Sequence, residues 1–408
     1  MIEPKVSDEL LTLLGWADKA AAIKVFANAD TPKDARRALE LGAMGIGLVR
    51  TERMFNDVDR LPHVVDMIVA DTVEARKAAL AELLPMQRGD FKGLLEVMAP
   101  RPVTIRLLDP PIHEFLPSEN ELVADIDRLT HLRETLSGIS VLSSTVDFMY
   151  RGKAEHPSVA LPADPRLVDE ALARKEAMLR KVRQLHEVNP MLGHRGVRLG
   201  LTYPEIYAMQ IRAILEAAAE CAKQGLHVHP EIMVPQVCTI EELEHVHAAV
   251  RTIAGEVEAS TGIKLHYQFG SMLEVVRACL LAGDLTREAE FYSFGTNDLT
   301  QAVFSFSRED AENKFLPMYN ANDILHDNPF ESLDASGVGK LMDIAVRAAR
   351  AGRPGIVMGI CGEHGGHPAS IRFCHGVGLD YVSCSPPRVP IARLAAAHAA
   401  LEAPRAGG

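Results

Sequence analysis

No run of 18 apolar residues occurs anywhere in this 408-residue chain, and Met1-Ile2-Glu3-Pro4-Lys5 opens it without the apolar core of a secretory leader. Both absences argue against a membrane span and against export. An excess of basic charge is missing too. The formal net charge is −12, which argues against general nucleic-acid binding and makes any group of arginines a local feature of an acidic protein. The six cysteines (Cys221, Cys238, Cys279, Cys361, Cys374, Cys384) include no Cys-x-x-Cys pair. That spacing fits reduced thiols in a cytoplasm better than a disulfide frame or a zinc site.

What is present is an ordinary globular composition, 47% hydrophobic and 24% charged. Short, continuous apolar runs alternate with amphipathic segments along nearly the whole chain. Strand candidates fall at 24–28, 45–49, 103–108, 197–201, 231–237, 265–270, 290–295, 357–362 and 381–385. Nine is one too many for a (β/α)8 barrel, and 197–201 is the weakest because Arg198 interrupts it between Gly196 and Gly200. Dropping it predicts an α/β fold of the TIM-barrel type, with eight parallel strands. Thr31-Pro32 and the capping box Thr239-Ile240-Glu241-Glu242, which leads toward Ile253, mark helix starts. In 167–188 a helix would place Leu172, Leu179, Val182 and Leu185 on one face. The rhythm breaks at 117–166, which has no clear strand. We expect one domain over 1–408 with that stretch as an excursion inserted after the third strand: a lid, a small subdomain or an oligomer contact. Gly337-Val338-Gly339-Lys340 lacks the Walker A spacing and reads as a helix start, and His245 and His247 read as solvated.

Catalytic groups of a parallel barrel sit at the C-terminal ends of its strands. Arg50, Arg106, Glu274, Asn297 with Asp298, and Cys361 with Glu363 fall at or just beyond such ends repeatedly. Glu274 and Asp298 follow successive strands and offer hard oxygens of the kind Mg²⁺ or Mn²⁺ takes; each could equally cap the helix that follows. Arg50, Arg106 and Arg195 suit a phosphate or a carboxylate, or else structural ion pairs. Arg195 lies in Gly193-His194-Arg195-Gly196, with Arg198 close enough to be confused with it. Cys361 is either core packing or a proton donor to a carbanion, with Glu363 and His364 placed to tune it.

In its motifs the chain resembles the C-terminal phosphoenolpyruvate/pyruvate-binding barrel of the pyruvate, phosphate dikinases, within the phosphoenolpyruvate-utilising enzymes. The resemblance rests on Ala27-Asn28-Ala29-Asp30-Thr31, Gly45-Ile46-Gly47-Leu48-Val49-Arg50-Thr51-Glu52, residues 103–114, 189–199 and 294–301, Gly359-Ile360-Cys361-Gly362-Glu363-His364-Gly365-Gly366, and residues 381–393. It implies that Arg50, Arg106 and Arg195 hold the phosphoryl group, with Arg50 and Arg106 also counted as catalytic. It further implies that Glu274 and Asp298 bind Mg²⁺, that Asn297, Ser271 and Thr296 contact substrate, and that Cys361 moves the proton. A homodimer is also implied. The family's ATP-grasp domain and its phosphorylated-histidine domain have no counterpart here: none of the 16 histidines sits in a Gly-rich Thr-Ser-His context. Arg53 stands where the family usually has His, Ser271 for Thr, Val276 for Pro, His367 for Asp, and Pro387 for an aromatic residue.

The expected function is therefore Mg²⁺-dependent interconversion of phosphoenolpyruvate and pyruvate through an enolate. The phosphoryl group would be exchanged with a histidine on a missing domain or a separate partner. The alternatives are a self-sufficient phosphomutase, hydrolase or C–C bond enzyme, and a non-catalytic phosphoenolpyruvate sensor.

Overall fold

The computed structural model describes residues 7–151, 164–187 and 189–402; residues 152–163 of the expected excursion and Val188 of the expected helix lie outside them. Eight parallel strands close into a barrel in sequence order: β1 (Lys24–Asn28), β2 (Ile46–Arg50), β3 (Pro102–Arg106), β4 (His229–Val234), β5 (Gln268–Leu273), β6 (Phe291–Phe294), β7 (Val357–Ile360) and β8 (Tyr381–Cys384). β8 returns to β1 in the register Lys24↔Tyr381 to Ala27↔Cys384, which leaves no free edge. The fold is the (β/α)8 barrel expected. Residues 197–201 belong to a short helix, Val197–Thr202.

The expected helix starts are made as written. Thr31 caps Pro32–Glu40 by accepting from Asp34 N (3.1 Å), and Thr239 with Glu242 forms a reciprocal capping box. That helix continues to Thr261, beyond the expected end near Ile253, because Gly262 supplies the left-handed residue that stops it (φ 71°). Gly337 is the N-cap of the helix Val338–Gly352.

Two expectations are corrected. The fifth strand is Gln268–Leu273, not 265–270, so Glu274 follows it directly. Gly270 reads as a strand end, yet it lies inside the strand, at a point where an added Cβ would meet the Phe291 carbonyl and ring. His247 is not solvated: its ring stacks on Phe269 at 4.2 Å between centroids, and Nδ1 bonds the Glu288 carboxylate.

The chain divides into two compact units. Among the described residues, one holds the barrel and draws on 7–60, 80–110 and 194–402. The other draws on 61–79, 111–151, 164–187 and 189–193, and in it the helices Glu119–Tyr150 and Pro165–Leu185 run side by side. Leu122, Leu136, Val168, Leu172 and Met178 are buried in this second unit, where Lys175 Nζ meets Asp125 at 2.8 Å and Arg183 Nε meets Glu119 at 2.8 Å. Among the described residues no helix is long and apolar enough to cross a membrane.

Small residues line the barrel interior where a large side chain needs room. The Tyr381 ring stacks on Phe26 (centroids 4.5 Å apart) and lies over Gly359, whose missing side chain makes the space. Gly359→Ala should therefore overpack a site that cannot yield, costing about 1–3 kcal/mol. Chemical denaturation would read this as a lowered midpoint, and an unchanged midpoint would mean that the ring can move.

Candidate active site

The barrel's strand ends hold three guanidinium groups through carboxylates, most of which local pattern does not single out. At the end of β2, Arg50 forks onto Asp30 (Nε–Oδ1 3.3 Å, Nη2–Oδ2 2.7 Å), and its backbone N–H donates to the same carboxylate at 2.8 Å. Arg106, at the end of β3, pairs through Nη1 with Asp109 (2.8 Å) and through Nη2 with Glu52 (2.5 Å). Arg195 shares Asp109 (Nη2–Oδ2 2.5 Å) and reaches Asp298 at 3.3–3.4 Å. Asp109 thus bridges two cations while almost wholly buried. Arg198 places its Nη2 3.8 Å from Cys238 Sγ, and its charge also favours ionised Asp109.

Glu274 leaves β5 and turns its carboxylate over the end of β6. There Gly295 must lack a side chain, since a Cβ would sit 2.6 Å from Glu274 Oε2. The other oxygen accepts the backbone N–H of Gln236 at 2.8 Å, a residue held in left-handed backbone (φ 59°). Gly196, also at φ 59°, packs against Gln236, and its N–H donates to the Asp109 carbonyl (2.8 Å). The Arg195 loop and the Glu274 support are therefore one assembly.

Buried charges set the electrostatics. Burial opposes the charge on Arg106, yet Asp109, Glu52, Glu274 and Asp298 around it raise its pKa well above the ordinary arginine value. Burial likewise opposes ionisation of Asp109, but Arg106 and Arg195 hold it below the usual carboxylate range. Glu274 goes the other way: burial first, then repulsion by Asp109 and Asp298, push it well above. This is a carboxyl with too little positive charge beside it. With Asp298 it supplies the hard oxygen donors that a small divalent cation takes, and such an ion would relieve that repulsion. Among the described residues no group of three or more His, Cys, Asp or Glu side chains is arranged for a metal.

Cys361 directly follows β7 and packs with Leu48, Met233, Met272 and Phe291. Burial pushes its thiol up to about 11, against the easing effects of Ser293 and Arg106, so at neutral pH it carries its proton. Asn28 Nδ2 fixes the Cys361 carbonyl at 3.0 Å. The expected tuning by Glu363 and His364 is not seen: Glu363 forks onto Arg308 (2.7 and 3.0 Å), and His364 spans Thr296 Oγ1 (2.7 Å) and the Pro329 carbonyl (2.8 Å). Asn297 Oδ1 accepts the Glu363 N–H at 3.1 Å, tying the loops after β6 and β7 together. The hydroxyl of Thr296 is taken by His364. Ser271 is not brought to this group. Met272 faces the interior with Cys361, so strand alternation turns the fully buried Ser271 to the other face, where its hydroxyl meets the Met272 carbonyl at 3.2 Å.

A recess of about 680 Å³ opens beside this group, with Arg50, Arg53, Arg308 and Arg388 in its wall. Of the residues expected from sequence, Arg50 and Glu363 line it; Arg106, Arg195 and Glu274 lie in the buried layer. Asp30, Glu52, Asp109 and Gln236 are participants that had no role assigned from local pattern. Asp109, three residues after Arg106 at a strand end, was the most visible of them.

The chain matches the family model described as "PEP-utilising enzyme, PEP-binding domain" over residues 5–401. It is 51% identical over 405 residues to the pyruvate, phosphate dikinase of Entamoeba histolytica, covering 99% of this chain and 42% of that protein. It is 47% identical over 400 residues to the pyruvate, phosphate dikinase of Clostridium symbiosum (98% and 41%), and 49% identical over 394 residues to the chloroplastic pyruvate, phosphate dikinase 1 of Arabidopsis thaliana (97% and 37%). The chain spans about two fifths of the length of these relatives. By the extent of the match, from residue 5 to residue 401, the chain belongs to the PEP-binding domain family of PEP-utilising enzymes.

Proposed function

We propose that this barrel interconverts phosphoenolpyruvate and pyruvate through an enolate, passing the phosphoryl group to or from a histidine on another domain or polypeptide. The observation that carries the reading is the shared carboxylate of Asp109, which aims Arg106 and Arg195 at the same point where Arg195 also meets Asp298. Membership of the family and the names of its relatives support the substrate pair. Glu274 and Asp298 would hold Mg²⁺ (or Mn²⁺); bound there, the ion would polarise the ligand's carboxylate and enolate oxygens. The six cysteines are free thiols, which supports a reducing compartment such as the cytoplasm. The helices 119–150 and 165–185, inserted in sequence between β3 and β4, are read as an excursion from a single catalytic barrel.

In this reading the chain's own groups divide the work. Arg50, Arg106 and Arg195 exchange part of their pairing with Asp30, Glu52 and Asp109 for phosphoryl oxygens. Arg106 keeps a buried Nε–H without a partner, a donor ready for the ligand. Asn297 has its Oδ1 occupied by Glu363, which leaves Nδ2 to donate to a ligand oxygen. Thr296 contributes its backbone N–H, at the start of the helix Thr296–Phe304. Cys361 stays protonated until a carbanion forms beside it, then gives its proton to C3.

Oxalate, an enolate mimic, should bind by calorimetry only when Mg²⁺ or Mn²⁺ is present. Asp298→Ala should abolish that binding without changing the circular dichroism spectrum; unchanged binding would remove Asp298 from the ion's site. Phosphoenolpyruvate incubated with the chain and Mg²⁺ should persist by ³¹P NMR, since no histidine acceptor is present. Turnover to a phosphonate, or to pyruvate and phosphate, would instead establish a self-sufficient enzyme. Pyruvate in D₂O should exchange its methyl protons faster than with Mg²⁺ alone. Cys361→Ala should lose this exchange yet keep metal-dependent oxalate binding, and retained exchange would assign the proton transfer to another base.

A further inference from the structure

The barrel interior holds a polar column that the chemistry above does not use. Near the N-terminal face, Thr104 of β3 lies opposite Glu231 of β4, and its hydroxyl bonds the Glu231 carboxylate at 2.6 Å. Tyr381 reaches into the same interior, with the tip of its ring over Gly359. Ser293 of β6 lies directly opposite Gly359, and Cys361, two residues on, directly follows β7. The hydroxyls of Tyr381 and Ser293 are buried without a hydrogen-bond partner. An unsatisfied buried hydroxyl costs about 1–3 kcal/mol, so two of them in one column call for an explanation.

We propose that Glu231, Thr104, Tyr381 and Ser293 form a proton relay that connects Cys361 to solvent at the opposite end of the barrel. The relay deepens the enolate reading above and rests on it. Three couplings agree with the order: Ser293 eases ionisation of both Cys361 and Tyr381, Thr104 eases that of Tyr381, and the Glu231 charge opposes it. Small movements of the Ser293 and Tyr381 side chains, bringing their oxygens within bonding distance, would have to close the links that the structure leaves open. Glu231 opens to a recess of about 290 Å³ lined by His229, His266 and Tyr267, while Thr104 and Tyr381 face it from inside. Burial pushes its carboxyl up to about 7, against the easing bond from Thr104, so it gains and loses protons near neutrality.

The need for such a route comes from Cys361 itself, which is buried. Once its S–H proton has formed the new C–H bond at C3, the thiolate requires another proton while ligand fills the pocket. It takes the proton of Ser293, which takes that of Tyr381, which takes that of Thr104, which takes that of the Glu231 carboxylic acid. Each O–H bond broken along the column is remade, and the Glu231 carboxylate left at the end is reprotonated by water in the recess. In reverse, the Glu231 carboxylate accepts the thiol proton, and the thiolate can then remove one from the pyruvate methyl group.

The test is methyl-proton exchange of pyruvate in D₂O with Mg²⁺, followed by ¹H NMR across the neutral range. Wild-type exchange should rise with pH through about 7, because the reverse direction needs Glu231 ionised. Glu231→Gln should remove that step. Tyr381→Phe should slow exchange at least about tenfold, within the range general acid–base groups contribute, with metal-dependent oxalate affinity unchanged. Thr104→Val, which breaks another link with little change of shape, serves if Tyr381→Phe does not fold. Wild-type exchange with smaller effects in the variants, or with the pH step kept in Glu231→Gln, would overturn the relay alone. Absence of exchange in the wild type would overturn the enolate reading, and the relay with it.

Discussion

Asp109 is the constraint on which the rest of the site depends. Its carboxylate is almost wholly buried and is shared by Arg106 and Arg195. Burying these charges without their partners would be costly, since removing one partner of a buried ion pair costs about 3–5 kcal/mol. The pairing fixes where both cations point, and the same loop geometry, through Gly196 and Gln236, fixes Glu274. Arg195 extends the network to Asp298, so β3, the loop before Val197, β5 and β6 all contribute to one group.

The charge balance of that group is uneven in a useful way. Arg106 and Arg195 are surrounded by carboxylates and cannot lose their protons, whereas Glu274 faces two other carboxylates and resists ionisation. The layer therefore has fixed cations and an unmet demand for positive charge at Glu274. In the proposed reading a phosphoryl-bearing ligand would answer the first and a divalent cation the second, so the two together would suit the site better than either alone.

Glycine decides how close these groups approach. Gly295 admits the Glu274 carboxylate over β6, Gly359 admits the Tyr381 ring into the interior, and Gly362 gives way to Thr296 Oγ1 so that the loop after β7 can close on β6. Each is a steric requirement at one contact. Together they explain why the strand ends are rich in glycine beside residues able to do chemistry.

The sequence by itself determined the barrel and most of the charged groups at its strand ends. Buried parallel strands read as short apolar runs, capping residues mark their helices, and Arg50, Arg106, Glu274 and Asp298 recur at the boundaries. It misread the end of β5, because a glycine demanded by close approach of Phe291 looks the same in sequence as one that ends a strand. It took His247 for a solvated residue, because its partners Phe269 and Glu288 are more than twenty residues away. Which carboxylate holds which arginine, the turning away of Ser271, and the column from Glu231 to Cys361 were decided by tertiary structure alone. Each depends on which residues of non-adjacent segments come within a few ångströms, and local pattern carries no such distance.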